Sequence, residues 1–266
     1  MEYVENPSDG TTIAYETIGA GTPLVLLHGS ALSHSIWRGF GYVKALRDQY
    51  RLILIDMRGH GRSGKPHDVD AYAMDLVTED VLAVLDELRV ETAMVLGYSF
   101  GGRIALSLAE RAPDRVGGLV VGGGSSRPQE GSFDRLFFPG CVDVLAEQGI
   151  DAFLEQWGAV RAWPIDPGTR AAFRANDPVA LAAYMRRCDV EPGISADSLR
   201  QFRVPTLAFV GSDDSDRLAD TEELAALIPG ARAVVIDGFD HSTTVAATDE
   251  VLRVVEPFLD FARQFA

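Results

Sequence analysis

Leu96-Gly97-Tyr98-Ser99-Phe100-Gly101-Gly102 is the stretch whose reading decides the fold. A β-type run, Thr92-Ala93-Met94-Val95-Leu96, precedes it, and a helix-type run, Arg103 to Arg111, follows it. The order is strand, Gly-x-Ser-x-Gly, helix, which is the setting a nucleophile elbow requires. So tight a turn places Ser99 in strained backbone geometry. Gly97 and Gly101 leave room where a β-carbon would strike the crossing strand and helix. The Ser99 hydroxyl is pushed out at the N-terminus of the next helix, where backbone N–H groups and the helix dipole favour developing negative charge. A glycine-rich turn whose serine only caps a helix matches the same five positions. The strand before it and the helix after it favour the elbow.

Working outward, residues 2–6 and 12–18 read as an edge hairpin turning at Pro7-Ser8-Asp9-Gly10. Pro23-Leu24-Val25-Leu26-Leu27 and Arg51-Leu52-Ile53-Leu54-Ile55 are continuous apolar runs, as expected of strands buried on both faces. The first ends in His28-Gly29-Ser30 and the second in Asp56-Met57-Arg58-Gly59-His60-Gly61-Arg62-Ser63-Gly64. Between Tyr72 and Arg89, Val77, Val81, Val84, Leu85 and Leu88 repeat at helical spacing. Val116–Val121 is another buried strand. This alternation implies a parallel sheet with helices on both faces. From about Ser125 to Ala196 it breaks into short amphipathic stretches rich in arginine and aromatics, including Phe133, Phe137, Phe138, Trp157, Trp163, Phe173 and Tyr184. We read that part as a helical insertion. The rhythm returns with a strand at 204–210, a helix at about 218–228, a strand at Arg232–Ile236 and a last helix at about 248–264.

The 266 residues suffice for one α/β domain with an inserted piece. No run of about 18 apolar residues is present to span a membrane. The acidic, polar N-terminus does not read as a secretory signal. Twenty-four basic against 39 acidic residues leave a net charge of −15, which argues against nucleic acid and anionic membranes as partners. Cys141 and Cys188 are the only cysteines, so no disulfide framework is expected and a reduced cytoplasm is the expected setting. Oligomeric state is not legible.

An activated serine needs a base within reach, and the base needs a group to orient it. Both belong in loops at the C-terminal ends of the parallel strands. Strand 204–210 ends in Gly211-Ser212-Asp213-Asp214, and strand 232–236 in Asp237-Gly238-Phe239-Asp240-His241. These loops offer His241 as the base and Asp213 or Asp214 as the acid.

Four motifs now agree in order. They are His28-Gly29, the loop Asp56 to Ser63, the elbow Gly97–Gly101 and the terminal His241. Together they resemble the α/β-hydrolase-fold family across the chain outside the insertion. The Asp56 loop is similar to that family's Asp-x-Arg-Gly-His-Gly-x-Ser. The resemblance implies a mostly parallel eight-stranded sheet flanked by helices. Residues 1–124 and 196–266 would form the core, and 125–195 a helical cap inserted after the sixth strand. The family's acid stands three residues after the glycine ending strand seven, which selects Asp214 over Asp213. Ser99, Asp214 and His241 would then be a catalytic triad, with the N–H groups of Ser30 and Phe100 as the oxyanion hole. His28, Trp157 and Phe137 are candidates for contact with substrate, although a structural hydrogen bonder is the plainer reading of His28.

The activity implied is cleavage of a carboxylic ester or lactone of a small, largely apolar molecule, with no metal or organic cofactor. Gly97 through Arg103 is also similar to the elbow of the menaquinone-pathway lyase that makes a cyclohexadiene carboxylate, and Arg103 is the feature that raises that alternative. A cofactor-independent oxygenase or perhydrolase, and a non-catalytic receptor, are further readings of the same fold. Relatives with an aspartate nucleophile are disfavoured because the elbow carries Ser99. Gly59 through Lys65 imitates a phosphate-binding loop, but Pro66 stands where Ser or Thr is needed and no helix starts inside the motif. His34 and His67 have no patterned partners, and no metal-ligand spacing occurs. Arg186-Arg187 could bind a substrate carboxylate, though a solvated helix face is the plainer reading.

Overall fold

The computed structural model describes residues 1–161, 164, 165 and 167–264. Trp163 therefore lies outside the described residues. The strands are β1 (Glu2–Glu5), β2 (Thr12–Ile18), β3 (Thr22–Leu27), β4 (Tyr50–Ile55), β5 (Ala93–Tyr98), β6 (Val116–Gly122), β7 (Thr206–Gly211) and β8 (Arg232–Ile236). They form one sheet in the order β1-β2-β4-β3-β5-β6-β7-β8. β1 and β2 pair as the edge hairpin, β2 runs antiparallel to β4, and all other pairings are parallel.

The uninterrupted apolar runs are explained by two cores. Alternate residues of a strand face opposite sides. Val25, Leu27, Ile53, Ile55, Val95 and Val121 face one side, where they meet Val77, Val81 and Val84 of the helix Met74–Glu87 and Ile104, Ala105 and Leu108 of the helix Phe100–Arg111. Leu24, Leu26, Leu52, Leu54, Leu96 and Phe209 face the other, against Trp37, Tyr42 and the stripe Val251, Leu252, Val255, Phe258, Leu259 of the helix Thr248–Ala262. Each fully buried aliphatic side chain contributes about 1.5–3 kcal/mol. The central strands, covered on both faces, are thus the rigid part of the molecule. Two short helices, Ser35–Gly39 and Tyr42–Leu46, lie between β3 and β4, where the sequence reading placed none. Five residues make too few turns for a periodic stripe to show.

Between β6 and β7 the chain forms the helices Ser132–Leu136, Cys141–Val160, Pro167–Arg174 and Pro178–Val190, then a short helix, Ala196–Arg200. The long second helix is broken at Gly149 (φ 83°, ψ −176°), so its halves take different directions. Asp177 caps Pro178–Val190 by accepting from the N–H groups of Val179 and Ala180. Phe137, Phe153, Trp157, Phe173 and Tyr184 fill the interior of this helical layer, which closes over Ala31 and Tyr72 of the sheet domain.

The two ends of the layer meet. Ile194 N–H donates to the Ser126 carbonyl at 2.7 Å. Arg103, on the helix after the elbow, spans both ends. Its Nη1 donates to the carbonyls of Ser126 and Arg127 (3.2 and 3.0 Å), its Nη2 to that of Pro192 (2.5 Å) and its Nε to Ser107 Oγ (3.3 Å).

Candidate active site

β5 runs straight into the turn. Ser99 takes φ 57° and ψ −117°, a conformation that costs a residue with a β-carbon and persists where the surroundings enforce it. Two backbone bonds enforce it: Ser99 N–H donates to the Gly122 carbonyl at 2.7 Å, and Arg103 N–H donates to the Ser99 carbonyl at 3.1 Å. The glycines on either side are sterically required. A β-carbon on Gly97 would lie 2.1 Å from the Gly101 carbonyl oxygen, and one on Gly101 would lie 2.1 Å from that of Leu27.

Ser99 Oγ is 2.9 Å from His241 Nε2, and His241 Nδ1 is 2.6 Å from Asp214 Oδ2. A carboxylate can only accept, so Nδ1 carries the imidazole proton and Nε2 is left to accept from the Ser99 hydroxyl. His241 opens the short helix His241–Thr244. Asp240 caps that helix by accepting from the N–H groups of Ser242 and Thr243, while Thr243 Oγ1 accepts from the Asp240 N–H. Tyr98 Oη donates to the His241 carbonyl at 2.6 Å, tying the histidine loop to the end of β5. Asp214 is buried after β7, whereas Asp213 is exposed and its carboxylate takes the Ser212 hydroxyl at 3.0 Å. The structure therefore brings Ser99, His241 and Asp214 together and leaves Asp213 outside.

The turn after β3 stands beside the elbow. A β-carbon on Gly29 would come within 3.3 Å of Ser99 Cβ. Ser30 follows, and Phe100 opens the helix on the far side of Ser99, where its N–H has no intrahelical acceptor. His28 does not sit where a substrate contact would need it. It is fully buried, its Nδ1–H donates to the Gly29 carbonyl (2.8 Å), and its Nε2 accepts from Met57 N–H (3.2 Å). Both ring nitrogens are thus committed to backbone, and burial pushes its pKa down to about 4. It is a neutral brace between two loops. Phe137 and Trp157 pack edge to face at 4.9 Å in the cap interior, with Phe153 and Phe173 around them. Phe133 stacks on Phe137 and the Arg161 guanidinium lies over Trp157, and among the described residues neither ring is paired with His241.

Two cap side chains do reach the Ser30 turn, Tyr184, which the sequence reading named only as one of the cap aromatics, and Asn176, which it did not name. Their partners lie more than a hundred positions away, so no local spacing marks them.

The other motifs resolve into structure. Asp56 accepts from the N–H groups of His34 and Arg62 and from His34 Nδ1. These bonds, together with His28, hold its pKa down at about 2 against the upward push of burial. Arg58 is buried between Asp80 and Asp9. Lys65 donates to the carbonyls of Gly61 and Ser63, so the loop that imitates a phosphate cradle holds its own cation. His60 donates through Nδ1 to the Arg58 carbonyl. Its Nε2 is buried without a partner among the described residues, and burial pushes its pKa to about 3. Arg186 pairs with Asp143 and Arg187 with Glu191. Cys141 is buried, which pushes its thiol pKa up to about 12. Among the described residues no group of three His, Cys, Asp or Glu side chains is placed to hold a metal ion.

The profile of the alpha/beta hydrolase fold matches residues 22–141. A 2-hydroxymuconate semialdehyde hydrolase of Pseudomonas sp. (strain CF600) is 31% identical over 219 residues, covering 82% of this chain and 70% of that protein. A Bacillus subtilis (strain 168) protein assigned as a 2-succinyl-6-hydroxy-2,4-cyclohexadiene-1-carboxylate synthase is 26% identical, covering 95% of this chain and 96% of that one. Among solved structures, the enol-lactonase of Burkholderia xenovorans LB400 superposes with a TM-score of 0.80 at 25% identity, over 97% of this chain and 100% of that one. The chain belongs to the α/β-hydrolase fold family. It is an enzyme of that family, with hydrolases, esterases and lactonases among its relatives.

Proposed function

We propose that the protein is a serine hydrolase that cleaves a carboxylic ester or lactone of a small, largely apolar molecule through an acyl-enzyme on Ser99. The observation that carries this reading is the unbroken hydrogen-bonded line from Ser99 through His241 to the buried Asp214, mounted on a strained elbow.

Ser99 Oγ attacks the carbonyl carbon while His241 Nε2 takes its proton. Asp214 fixes the Nδ1–H tautomer and stabilises the imidazolium that forms. The N–H groups of Phe100 and Ser30 receive the oxyanion, and one such donor is worth about 3 kcal/mol. His241 returns the proton to the leaving alkoxide as the tetrahedral intermediate collapses to the acyl-enzyme. Water, deprotonated by His241, then repeats the addition and releases the acid.

The apolar rings of Phe100, next to Ser99, and of Tyr184 packed on it support an apolar substrate, and the net charge of −15 supports a small-molecule partner over nucleic acid or an anionic membrane surface. No helix among the described residues is long and apolar enough to cross a membrane. The two unpaired cysteines suit a cytoplasmic setting.

Arg103 is the residue that raises the lyase reading. Its guanidinium is buried and spent on Ser107 and on the carbonyls of Ser126, Arg127 and Pro192, which favours hydrolysis over a role for Arg103 at the substrate. Initial rates on p-nitrophenyl esters from acetate to decanoate, and on simple lactones, test the proposal. Turnover by wild type that falls by about 10⁴–10⁶ in Ser99→Ala is the expected result. No turnover of any ester or lactone by folded wild type would overturn it.

A further inference from the structure

The cap grips the turn His28-Gly29-Ser30-Ala31 at two consecutive residues. Tyr184, on the helix Pro178–Val190, shares a 2.6 Å hydrogen bond with Ser30 Oγ. Asn176, just before that helix, donates through Nδ2 to the Ala31 carbonyl at 2.9 Å and to the carbonyl of Ala172, also at 2.9 Å. Both side chains are buried, Tyr184 at 1% exposure and Asn176 at 8%. The residue that Asn176 holds is strained: Ala31 takes φ 60°, a left-handed conformation disfavoured by its β-carbon. Relaxing that torsion would turn the Ser30–Ala31 peptide, the plane next to the one that carries the Ser30 N–H, while the Tyr184 bond holds the Ser30 side chain itself. Tyr184 also packs its ring edge-on against Phe100, with centroids 4.5 Å apart. A single cap side chain therefore touches both residues proposed to supply the oxyanion N–H groups. Burial pushes the phenol pKa well up, so it remains a neutral hydroxyl.

We infer that Tyr184 and Asn176 are positioning residues that hold the Ser30 N–H in its oxyanion-binding orientation, so that the catalytic site is complete only when the cap is seated. This rests on the serine-hydrolase reading. Within the turn, His28 Nδ1–H and the Leu32 N–H both donate to the Gly29 carbonyl, which leaves Ser30 and the strained Ala31 without a hold of this kind. The two cap bonds hold these two residues, and both come from the helical layer that closes over Ala31. Loss of the cap contacts would then leave the turn free to relax, and restoring them would rebuild the oxyanion site.

The test combines kinetics with amide hydrogen exchange of the segment 28–34, in wild type, Tyr184→Phe, Ser30→Ala and the double variant. Tyr184→Phe removes one oxygen and keeps the ring, and thermal melts check that each variant is folded. We expect exchange of 28–34 to quicken in Tyr184→Phe. Its kcat on the best p-nitrophenyl ester should fall about 10- to 30-fold, less than the loss of a whole donor, with KM within about twofold. The inhibition constant of a trifluoromethyl ketone should weaken by the same factor as kcat/KM. Ser30→Ala should behave alike, and the double variant should be no worse than either single one. An unchanged kcat, a change confined to KM, or additive losses would overturn the inference. If wild type neither hydrolyses esters nor labels with a fluorophosphonate, the hydrolase reading itself has failed and the positioning role falls with it. Faster exchange in Tyr184→Phe would still separate that outcome from a failure of the cap contact.

Discussion

Asp214 Oδ2 lies 2.6 Å from His241 Nδ1, while the carboxylate of the adjacent Asp213 stands exposed and takes the Ser212 hydroxyl. One residue of phase in the turn after β7 separates an orienting acid from a solvated one. Asp214→Asn should keep the fold and present the wrong histidine tautomer to Ser99, lowering kcat about 10⁴-fold. Asp213→Asn should leave kcat within about twofold. Steady-state kinetics on one good ester decides between them, and equal losses in both would contradict the assignment.

Arg103 gives a second expectation. Its removal leaves the carbonyls of Ser126, Arg127 and Pro192 without their donor at the root of the cap. An unsatisfied buried polar group costs about 1–3 kcal/mol, so Arg103→Met should destabilise the protein by about 3 kcal/mol. Proteolysis should quicken near 126–128 and 192–194. Preference between neutral and carboxylate-bearing esters should not change. A KM effect confined to carboxylate-bearing substrates would instead place the guanidinium at the substrate.

The elbow glycines differ from glycines elsewhere. Gly101→Ala would drive a β-carbon to 2.1 Å from the Leu27 carbonyl oxygen, and backbone cannot yield as a flexible side chain does. A loss of about 3 kcal/mol together with most activity is expected. Gly39→Ala meets nothing within 4 Å and lies in the helix Ser35–Gly39, so it should be neutral or stabilising by about 0.5–1 kcal/mol. Urea midpoints of the two variants measure the contrast.

Stability should fall on mild acidification. His28 and His60 are buried neutral, with pKa values of about 4 and about 3 against 6.5 when exposed. Between pH 6.5 and about 4 the unfolded chain binds protons that the folded protein does not, so unfolding is favoured as pH drops through that window. Each pKa unit of separation is worth about 1.4 kcal/mol, and the total loss should be a few kcal/mol. Urea titrations at pH 7.0, 5.5 and 4.5 would show it, with a shallower slope in His60→Gln. Constant stability down to pH 4.5 would mean that the two imidazoles are not held neutral.

The sheet was legible in the sequence because its central strands are covered on both faces, which leaves continuous apolar runs such as Leu24–Leu27 and Leu52–Ile55. The elbow was legible because its backbone admits only glycine at 97 and 101. What escaped depends on distance along the chain or on exposure. Spacing alone left Asp213 and Asp214 open, because both stand in the same turn and only burial distinguishes them. Arg103 was noticed, but the carbonyls it holds lie 23 to 89 positions away, so its role at the cap root could not be read. Tyr184 appeared as one cap aromatic among several, since its bond to Ser30 spans 154 positions. His28 read more readily as scaffold than as a substrate contact, but the Met57 N–H that makes it scaffold comes from a different loop and could not be named.

The central claim is that Ser99 is a nucleophile activated by His241. Intact mass spectrometry of wild type and Ser99→Ala after reaction with a fluorophosphonate probe tests it most directly. A single phosphonyl adduct on wild type, mapped to the peptide containing Ser99 and absent from the folded variant, is the expected result. A folded wild type that takes up no probe, or a Ser99→Ala protein labelled to the same extent, would contradict it.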